Sequence, residues 1–178
     1  MIRLVGPGGA GKSTIGALLA DRLEVTFSDL DRHFTCRFGD ISEYIGRLGY
    51  DAYARNNVET YCSLSRSAHY PSVVALSSGF MTYAHDIHSE YRSVLHEIKL
   101  CPTTFLLLPS LDREVCVTET VRRQTARPFG GSAAKEEAVI RARFEIYMAL
   151  PVRRFETMRP VTEIIDDLAA AALLNLAR

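Results

Sequence analysis

A glycine-rich stretch near the N-terminus has the residue types and the spacing that phosphate binding requires. Residues 6–13 have the sequence GPGGAGKS, which fits the pattern G-x-x-x-x-G-K-(S/T). Glycines allow backbone N–H groups to point inward at phosphate oxygens, and a following helix would add the positive end of its dipole. The Lys12 side chain would reach the β- and γ-phosphates, and the Ser13 hydroxyl would ligate Mg²⁺. The nucleotide-binding residues predicted from this loop are Gly8, Gly9, Ala10, Gly11, Lys12, Ser13 and Thr14.

The flanking sequence favours a functional loop over a chance glycine-rich turn. The apolar run MIRLV precedes the glycines, and IGALLADRL follows them with apolar residues at helical spacing. A strand before the loop and a helix after it are the context in which this motif binds a nucleoside triphosphate. The loop by itself does not distinguish a kinase from a switch or a motor.

Two acidic residues follow the second apolar run, VTFS. Asp29 and Asp31 stand two positions apart there. Ligands of a parallel sheet bind beyond the carboxyl ends of its strands, so both carboxylates should face the γ-phosphate. Mg²⁺ takes oxygen ligands, and an acceptor hydroxyl needs a carboxylate to orient it and take its proton. We therefore predict that Asp29 helps to bind the metal ion, whereas Asp31 orients the acceptor hydroxyl and takes its proton. The alternative is that Asp31 only caps the next helix.

Strand and helix patterns alternate along the chain. Strand patterns cover residues 1–5, 25–28, 72–78, 103–109 and 152–157. Helical patterns cover residues 15–23, 41–49, 50–69, 83–99, 111–124 and 134–150, and a last helix starts at Pro160. This alternation predicts an α/β fold in a single domain, residues 1–178, with a five-stranded parallel sheet covered by helices on both faces.

The bulk composition narrows the classes of partner. The 178 residues contain 21 Lys and Arg against 21 Asp and Glu, so the formal net charge is zero. That balance predicts neither a nucleic-acid nor a membrane partner. The four cysteines form no C-x-x-C pair and no secretion signal precedes them, which favours reduced thiols in a cytoplasmic protein. We expect a monomer that acts on a small molecule.

Several segments resemble the shikimate kinase family of P-loop enzymes. The loop GPGGAGKST and the tetrapeptide SDLD carry the resemblance first, and VVALSSGF stands where the family has a third strand ending in three glycines. ARPFGG resembles the family's lid, and RFEIY resembles its Arg-x-Pro-x-Tyr element. The resemblance covers most of the chain. It implies a three-layer P-loop kinase fold, a mobile lid near residues 125–135, and transfer of the ATP γ-phosphate to a hydroxyl of shikimate with Mg²⁺.

The resemblance also implies roles for individual residues. Asp29 would order Mg²⁺ and its water, while Asp31 would bind the acceptor hydroxyls and act as base. Arg127 would swing in with the lid to stabilise the transferring phosphoryl, and Arg143 would hold the substrate carboxylate. The implied catalytic set is Lys12, Asp31 and Arg127.

A second carboxylate-binding arginine of the family lies in a Phe-Arg-x-x-Glu helix, whose register in YDAYARNNVE leaves two possibilities. Aligning Tyr53 with the Phe places Ala54 at the arginine, whereas counting from Asp31 favours Arg55. We predict Arg55 as the substrate-binding residue. The alternative is that Arg55 forms a surface pair with Glu59, four residues on.

The sequence departs from the family pattern at positions that would bind the substrate and at positions that would bind the nucleotide. Ser77-Ser78-Gly79 replaces three glycines, which narrows the pocket and adds hydroxyls, and we predict Ser78 and Gly79 as substrate-binding residues. The nucleotide-contacting arginine before the lid is displaced, so Arg122 or Arg123 is the candidate, and Arg159 would line the adenine. Because of these changes, two rivals remain: a kinase of the same fold for another acceptor, such as a sugar acid or a secondary metabolite, and a nucleotide-binding regulatory protein without turnover.

Overall fold

Parallel strands form a central sheet in the computed structural model, which describes residues 1–67, 72–126 and 132–176. Over these ranges the sheet has five strands in the order β2-β3-β1-β4-β5, and every neighbouring pair is parallel. The strands are β1 Ile2–Val5, β2 Thr26–Asp29, β3 Ser72–Ala75, β4 Thr104–Leu108 and β5 Arg153–Glu156. The predicted five-stranded parallel sheet is thus confirmed, and β2 and β5 lie at its edges.

Helices connect the strands on both faces of the sheet. Their bounds are α1 Lys12–Arg22, α2 Leu30–Phe38, α3 Ile41–Leu48, α4 Tyr50–Ser67, α5 Tyr91–Leu100, α6 Arg113–Thr125, α7 Ala133–Met148 and α8 Val161–Leu176. A single 3₁₀ turn, Phe80–Thr82, follows β3 within the described residues. Within the ranges that the structure describes, every helix is too short or too polar to span a bilayer.

The interior strand β4 shows why the sheet is covered on both faces. Its residues are all buried, and neighbouring side chains point to opposite faces. Phe105 and Leu107 pack in a cluster with α1 and α8, whereas Leu106 and Leu108 pack in a second cluster with α2, α4, α5 and α7. A strand that is buried on both faces has a continuous apolar run, as TFLLL has here.

The loop after β1 must contain glycine. Gly6, Gly9 and Gly11 have φ values of 144°, 75° and 90°, which side chains with a Cβ rarely adopt. A Cβ at Gly6 would also collide with the carbonyl of Leu107 on the adjacent strand. The loop is therefore shaped by its glycines and by its close approach to β4, and α1 begins directly after it.

Two helices differ from the sequence-based prediction. The segment predicted as one helix, residues 83–99, forms turns until α5 begins at Tyr91, because short backbone bonds such as Ile87 N–H to Ala84 O organise it and His88 Nδ1 accepts from the Glu90 N–H. The helix α2 was not predicted. It begins where it does because the Asp29 carboxylate caps it, accepting from the backbone N–H groups of Asp31 and Arg32 at 3.0 and 3.3 Å.

Candidate active site

The loops at the carboxyl ends of β1, β2 and β3 surround a cleft of about 670 Å³. One side of the cleft is the glycine loop, and α3, the start of α4 and α7 form the other side. Residues predicted from sequence that line it are Gly8, Gly9, Gly11, Lys12, Ser13, Thr14, Asp29, Asp31, Ser78 and Arg143. The structure thus brings together the phosphate loop, both aspartates and one arginine of the acceptor side, as the topology of a parallel sheet predicts.

Lys12 lies buried at the base of the phosphate loop. Its Nζ donates to the carbonyl oxygens of Gly6 and Pro7 at 2.7 and 2.8 Å. These bonds hold the ammonium against the loop, next to the space that a phosphate chain would fill. Ala10 is fully buried beneath the loop and does not line the cleft, so a contact to nucleotide from this residue would come from its backbone.

Asp29 and Ser13 form a pair of oxygen ligands at the end of β2. The Ser13 hydroxyl donates to Asp29 Oδ2 at 2.6 Å, while Asp29 Oδ1 caps α2. A hydroxyl and a carboxylate oxygen within hydrogen-bonding distance, both open to the phosphate loop, suit a hard cation that keeps several of its waters. The donor set therefore fits Mg²⁺.

Asp31 lies on the first turn of α2 with its carboxylate in the cleft. Its Oδ1 accepts from the Ser77 hydroxyl at 2.5 Å and from the Tyr53 hydroxyl at 3.4 Å. Burial raises the pKa of Asp31, and the Ser77 hydrogen bond and the Lys12 ammonium oppose that rise. The capping alternative is wrong, because Asp29 rather than Asp31 is the N-cap of α2.

Buried polar residues that the sequence does not predict as site residues form a hydrogen-bond network with Ser77, the residue that donates to Asp31. The fully buried Asn57 donates through Nδ2 to Ser77 Oγ at 2.9 Å, and Tyr83 donates its hydroxyl to Asn57 Oδ1 at 3.1 Å. Asn57 stands four positions after Tyr53, so both lie on the same face of α4. That spacing was the available signal, but nothing in the sequence shows that this face turns towards Asp31.

Arg143 and Tyr50 meet on the acceptor side of the cleft. Arg143 Nη2 donates to the Tyr50 hydroxyl oxygen at 2.9 Å. A Cβ at Gly79 would collide with that same hydroxyl unless the Tyr50 side chain moved, and the Ser78 carbonyl is fixed by a hydrogen bond from the Tyr147 hydroxyl. Because the Tyr50 oxygen accepts from Arg143, its proton remains available for a ligand.

The structure does not bring Arg55 to the cleft. Its side chain is exposed and its Nε donates to the Ile87 carbonyl at 3.2 Å. The neighbouring residues explain why: Tyr53 and Ala54 are buried against the core, so the next position on α4 points outward. Arg55 is therefore not part of the cleft lining, and the structure does not support its predicted role as a substrate-binding residue.

Of the three arginines predicted to bind the nucleotide, one contacts the phosphate loop and two are exposed. Arg123 reaches the phosphate loop, where its Nη1 donates to the Gly9 carbonyl at 3.1 Å and to Thr157 Oγ1 at 3.0 Å. Arg122 is exposed and pairs with Glu119 on the surface of α6. Arg159 is also exposed and pairs with Asp167 at 2.6 Å, outside the cleft lining, so the structure does not place it beside the nucleotide loop.

These placements give an expected result for nucleotide affinity. Arg123→Met should raise the KM for ATP about tenfold, because it removes the charged hydrogen bonds that brace the Gly9 carbonyl. Arg122→Met is the matched control on the same helix and should change KM by less than about twofold, since exposed ion pairs contribute little. Steady-state kinetics at saturating acceptor measure both, and equal effects of the two variants would contradict the assignment.

The lid prediction falls partly outside the described residues. Arg127, the predicted lid arginine, lies among residues 127–131, which the structure does not describe. The flanking segments border the cleft: Gln124 in the last turn of α6 and Lys135, Glu136 and Val139 in the first two turns of α7 line the cavity. The cleft is therefore bounded on this side by the two ends of the predicted lid.

Comparisons with known proteins agree with this geometry. The family model for shikimate kinase matches residues 8–171. The chain belongs to the shikimate kinase family. A shikimate kinase from Nitratidesulfovibrio vulgaris is 31% identical over 173 residues, which cover 94% of this chain and 92% of that enzyme.

Solved structures of shikimate kinases share the fold of this chain. The crystal structure of shikimate kinase from Aquifex aeolicus has a TM-score of 0.68 at 20% identity and covers 99% of this chain and 98% of its own. Shikimate kinase from Acinetobacter baumannii in complex with shikimate has a TM-score of 0.64 at 22% identity, covering 99% of this chain and 92% of its own. The P-loop kinase fold is confirmed, and this shikimate kinase-like chain is an ATP-dependent phosphotransferase that acts on a hydroxyl group.

Proposed function

We propose that this chain transfers the γ-phosphoryl group of ATP to a hydroxyl of a small polyol acid, with shikimate as the leading acceptor. The observation that carries the proposal is the position of Asp31. Its carboxylate lies in the same cleft as the phosphate loop, and one oxygen is held by Ser77 and Tyr53. A nucleotide-binding protein without turnover would need no such carboxylate, whereas an acceptor hydroxyl requires one.

Mg²⁺ is the second part of the proposal, and Ser13 and Asp29 are the residues that would hold it. Their hydrogen-bonded oxygens lie beside the phosphate loop. When bound with ATP, the ion neutralises charge on the β- and γ-phosphate oxygens. The Ser13 hydroxyl, whose proton is donated to Asp29, would offer a lone pair to the ion.

In the proposed reaction, most of the rate enhancement comes from positioning and charge stabilisation. Lys12 holds its ammonium at the loop to bind the transferring phosphoryl oxygens. Asp31 orients the acceptor hydroxyl and accepts its proton as the new P–O bond forms, while the bond from the γ-phosphorus to the β–γ bridging oxygen breaks and ADP leaves. Arg127, outside the described residues, would add positive charge when the lid closes, and closure would exclude water as a competing acceptor.

Arg143 is the proposed carboxylate-binding residue, with Tyr50, Ser78 and Gly79 around it. The guanidinium lies on the acceptor side of the cleft and already orients the Tyr50 hydroxyl. A carboxylate here would accept from Arg143 and from the free proton of Tyr50. The sugar-acid alternative is favoured by one observation: Ala54 is buried and Arg55 lies outside the cleft lining, so neither candidate position for the second arginine supplies a charge there.

The proposal further includes a monomer in the cytoplasm with a small-molecule substrate and no nucleic-acid or membrane partner. The support is the zero net charge and the four cysteines, which are unpaired in the described part of the chain.

An ADP-release assay against a panel of hydroxy acids tests the proposed function. We expect acceptor-dependent ADP release in the presence of Mg²⁺, with shikimate giving the highest kcat/KM. Turnover with gluconate-like acids but not with shikimate would overturn only the acceptor. Tight ATP binding without turnover on any acid would overturn the transfer reaction.

Arg143→Met should raise the KM for the acceptor about ten- to a hundredfold and leave the KM for ATP unchanged, because it removes one charged hydrogen bond to the carboxylate. Arg141→Met is the matched control on α7. Arg141 pairs with Glu114 and Glu137 away from the cleft, and its loss should leave both constants near the wild-type values. An unchanged acceptor KM in Arg143→Met would contradict the carboxylate assignment.

A further inference from the structure

A directed chain of hydrogen bonds ends on Asp31. A carboxylate only accepts, so the Ser77 hydroxyl must donate to Asp31 Oδ1, at 2.5 Å. With its proton committed, Ser77 accepts from Asn57 Nδ2 at 2.9 Å, and Asn57 Oδ1 in turn accepts from the Tyr83 hydroxyl at 3.1 Å. With Asp31 ionised, each of these donors therefore points towards its carboxylate.

The residues of this hydrogen-bond network are buried, which limits the directions in which each hydroxyl and amide can donate. Asn57, Ser77 and Tyr83 expose 0%, 3% and 5% of their surface, so water does not compete for their hydrogen bonds. An unsatisfied buried donor or acceptor is costly, and reversing one link would leave such a group at Asn57. The network thus fixes the Ser77 hydroxyl in one orientation.

The network distinguishes the two oxygens of Asp31. Oδ1 accepts from Ser77 and, more weakly at 3.4 Å, from Tyr53. Among the described residues, these are the side-chain hydrogen bonds to this carboxylate, and both go to Oδ1. Oδ2 is therefore the oxygen left for the acceptor hydroxyl.

We propose that Ser77 is a positioning residue of the transfer reaction: held by Asn57, it fixes the Asp31 carboxylate so that Oδ2 faces the acceptor hydroxyl. This inference rests on the proposed function and adds a residue to it. A glycine, which the family resemblance places at this position, has no side chain with which to donate. Ser77 thus gives this chain a means of orienting its base that the glycine turn lacks.

Replacing Ser77 tests the proposal. Ser77→Ala and Ser77→Gly both remove the hydroxyl and should lower kcat about tenfold or more, with the KM for ATP and the nucleotide Kd within about twofold of wild type. Ser72→Ala is the matched control, because Ser72 is a buried serine at the start of β3 whose hydroxyl has no hydrogen-bond partner among the described residues. It should leave kcat unchanged.

A double-mutant cycle separates positioning from general support of the fold. If Asn57 acts through Ser77, Asn57→Ala should lower kcat in the wild-type background and have little further effect in Ser77→Ala. A kcat of both Ser77 variants within about twofold of wild type would overturn the proposal. A parallel loss of nucleotide affinity would also overturn it, because that would show a loosened fold.

A crystal structure of Ser77→Ala gives a readout independent of activity. We expect the Asp31 carboxylate to rotate or to occupy two orientations. An Asp31 side chain that keeps its wild-type orientation in Ser77→Ala would contradict the inference. This comparison does not depend on turnover. If the wild-type enzyme transferred phosphate to no acid in the panel, the proposed function would fail, and the crystal structures would still test the role of Ser77.

Discussion

Asp31→Asn is expected to lower kcat by about a thousandfold while the Kd for nucleotide stays within about threefold. The amide oxygen of Asn can still accept the hydrogen bond that Ser77 donates to Oδ1, so the side chain should keep its place. The amide group cannot take a proton from the acceptor hydroxyl, so only the transfer step is lost. Steady-state ADP release and a nucleotide titration measure the two quantities.

Asp40→Asn is the control for this substitution. Asp40 caps α3 by accepting from the Glu43 N–H at 2.9 Å, and Asn caps helices about as well as Asp does. It should therefore leave kcat and stability close to wild type. An Asp31→Asn enzyme that retained a tenth or more of the wild-type kcat would show that Asp31 takes no proton in the rate-limiting step.

Lys12→Met has the second-largest expected effect, a loss in kcat of about a hundred- to a thousandfold. The Lys12 ammonium donates to the carbonyls of Gly6 and Pro7 and would stabilise the negative charge that develops on the transferring phosphoryl oxygens. Methionine keeps the length of the side chain and removes the charge. Single-turnover kinetics at saturating ATP measure the chemical step without the weaker binding.

Lys99→Met is the control for the loss of a lysine. Lys99 lies on α5, and it is not part of the cleft lining. This variant should retain the wild-type rate. A rate for Lys12→Met within about tenfold of wild type would contradict a role for Lys12 in stabilising the transferring group.

Features with a strong local signal were predictable from the sequence. The loop of residues 6–13 was identified because its glycines have a steric function, and Gly6, Gly9 and Gly11 indeed have positive φ values. The sheet was predicted because strands buried on both faces have continuous apolar runs, as β3 and β4 do. The position of Asp29 and Asp31 followed from the rule that ligands bind at the carboxyl ends of parallel strands.

Features that depend on the packing of distant segments were not predictable. The outward direction of Arg55 depends on which face of α4 packs against α2, and only the buried Tyr53 and Ala54 settle it. The helix predicted for residues 83–99 begins only at Tyr91; the segment before it forms turns, and α4 contacts that segment through the hydrogen bond from Arg55 Nε to the Ile87 carbonyl. The link between Asn57 and Ser77 joins residues 20 positions apart in sequence, for which a single sequence carries no signal.

Identification of the phosphorylated product by ³¹P NMR tests the central claim most directly. The full chain would be incubated with ATP, Mg²⁺ and shikimate, and with Asp31→Asn as the parallel sample. The account predicts that the γ-phosphorus appears as a phosphate monoester on a hydroxyl of the acid with wild-type enzyme and stays on ATP with the variant. Release of the γ-phosphate only as inorganic phosphate, with shikimate and every other hydroxy acid of the panel, would contradict it.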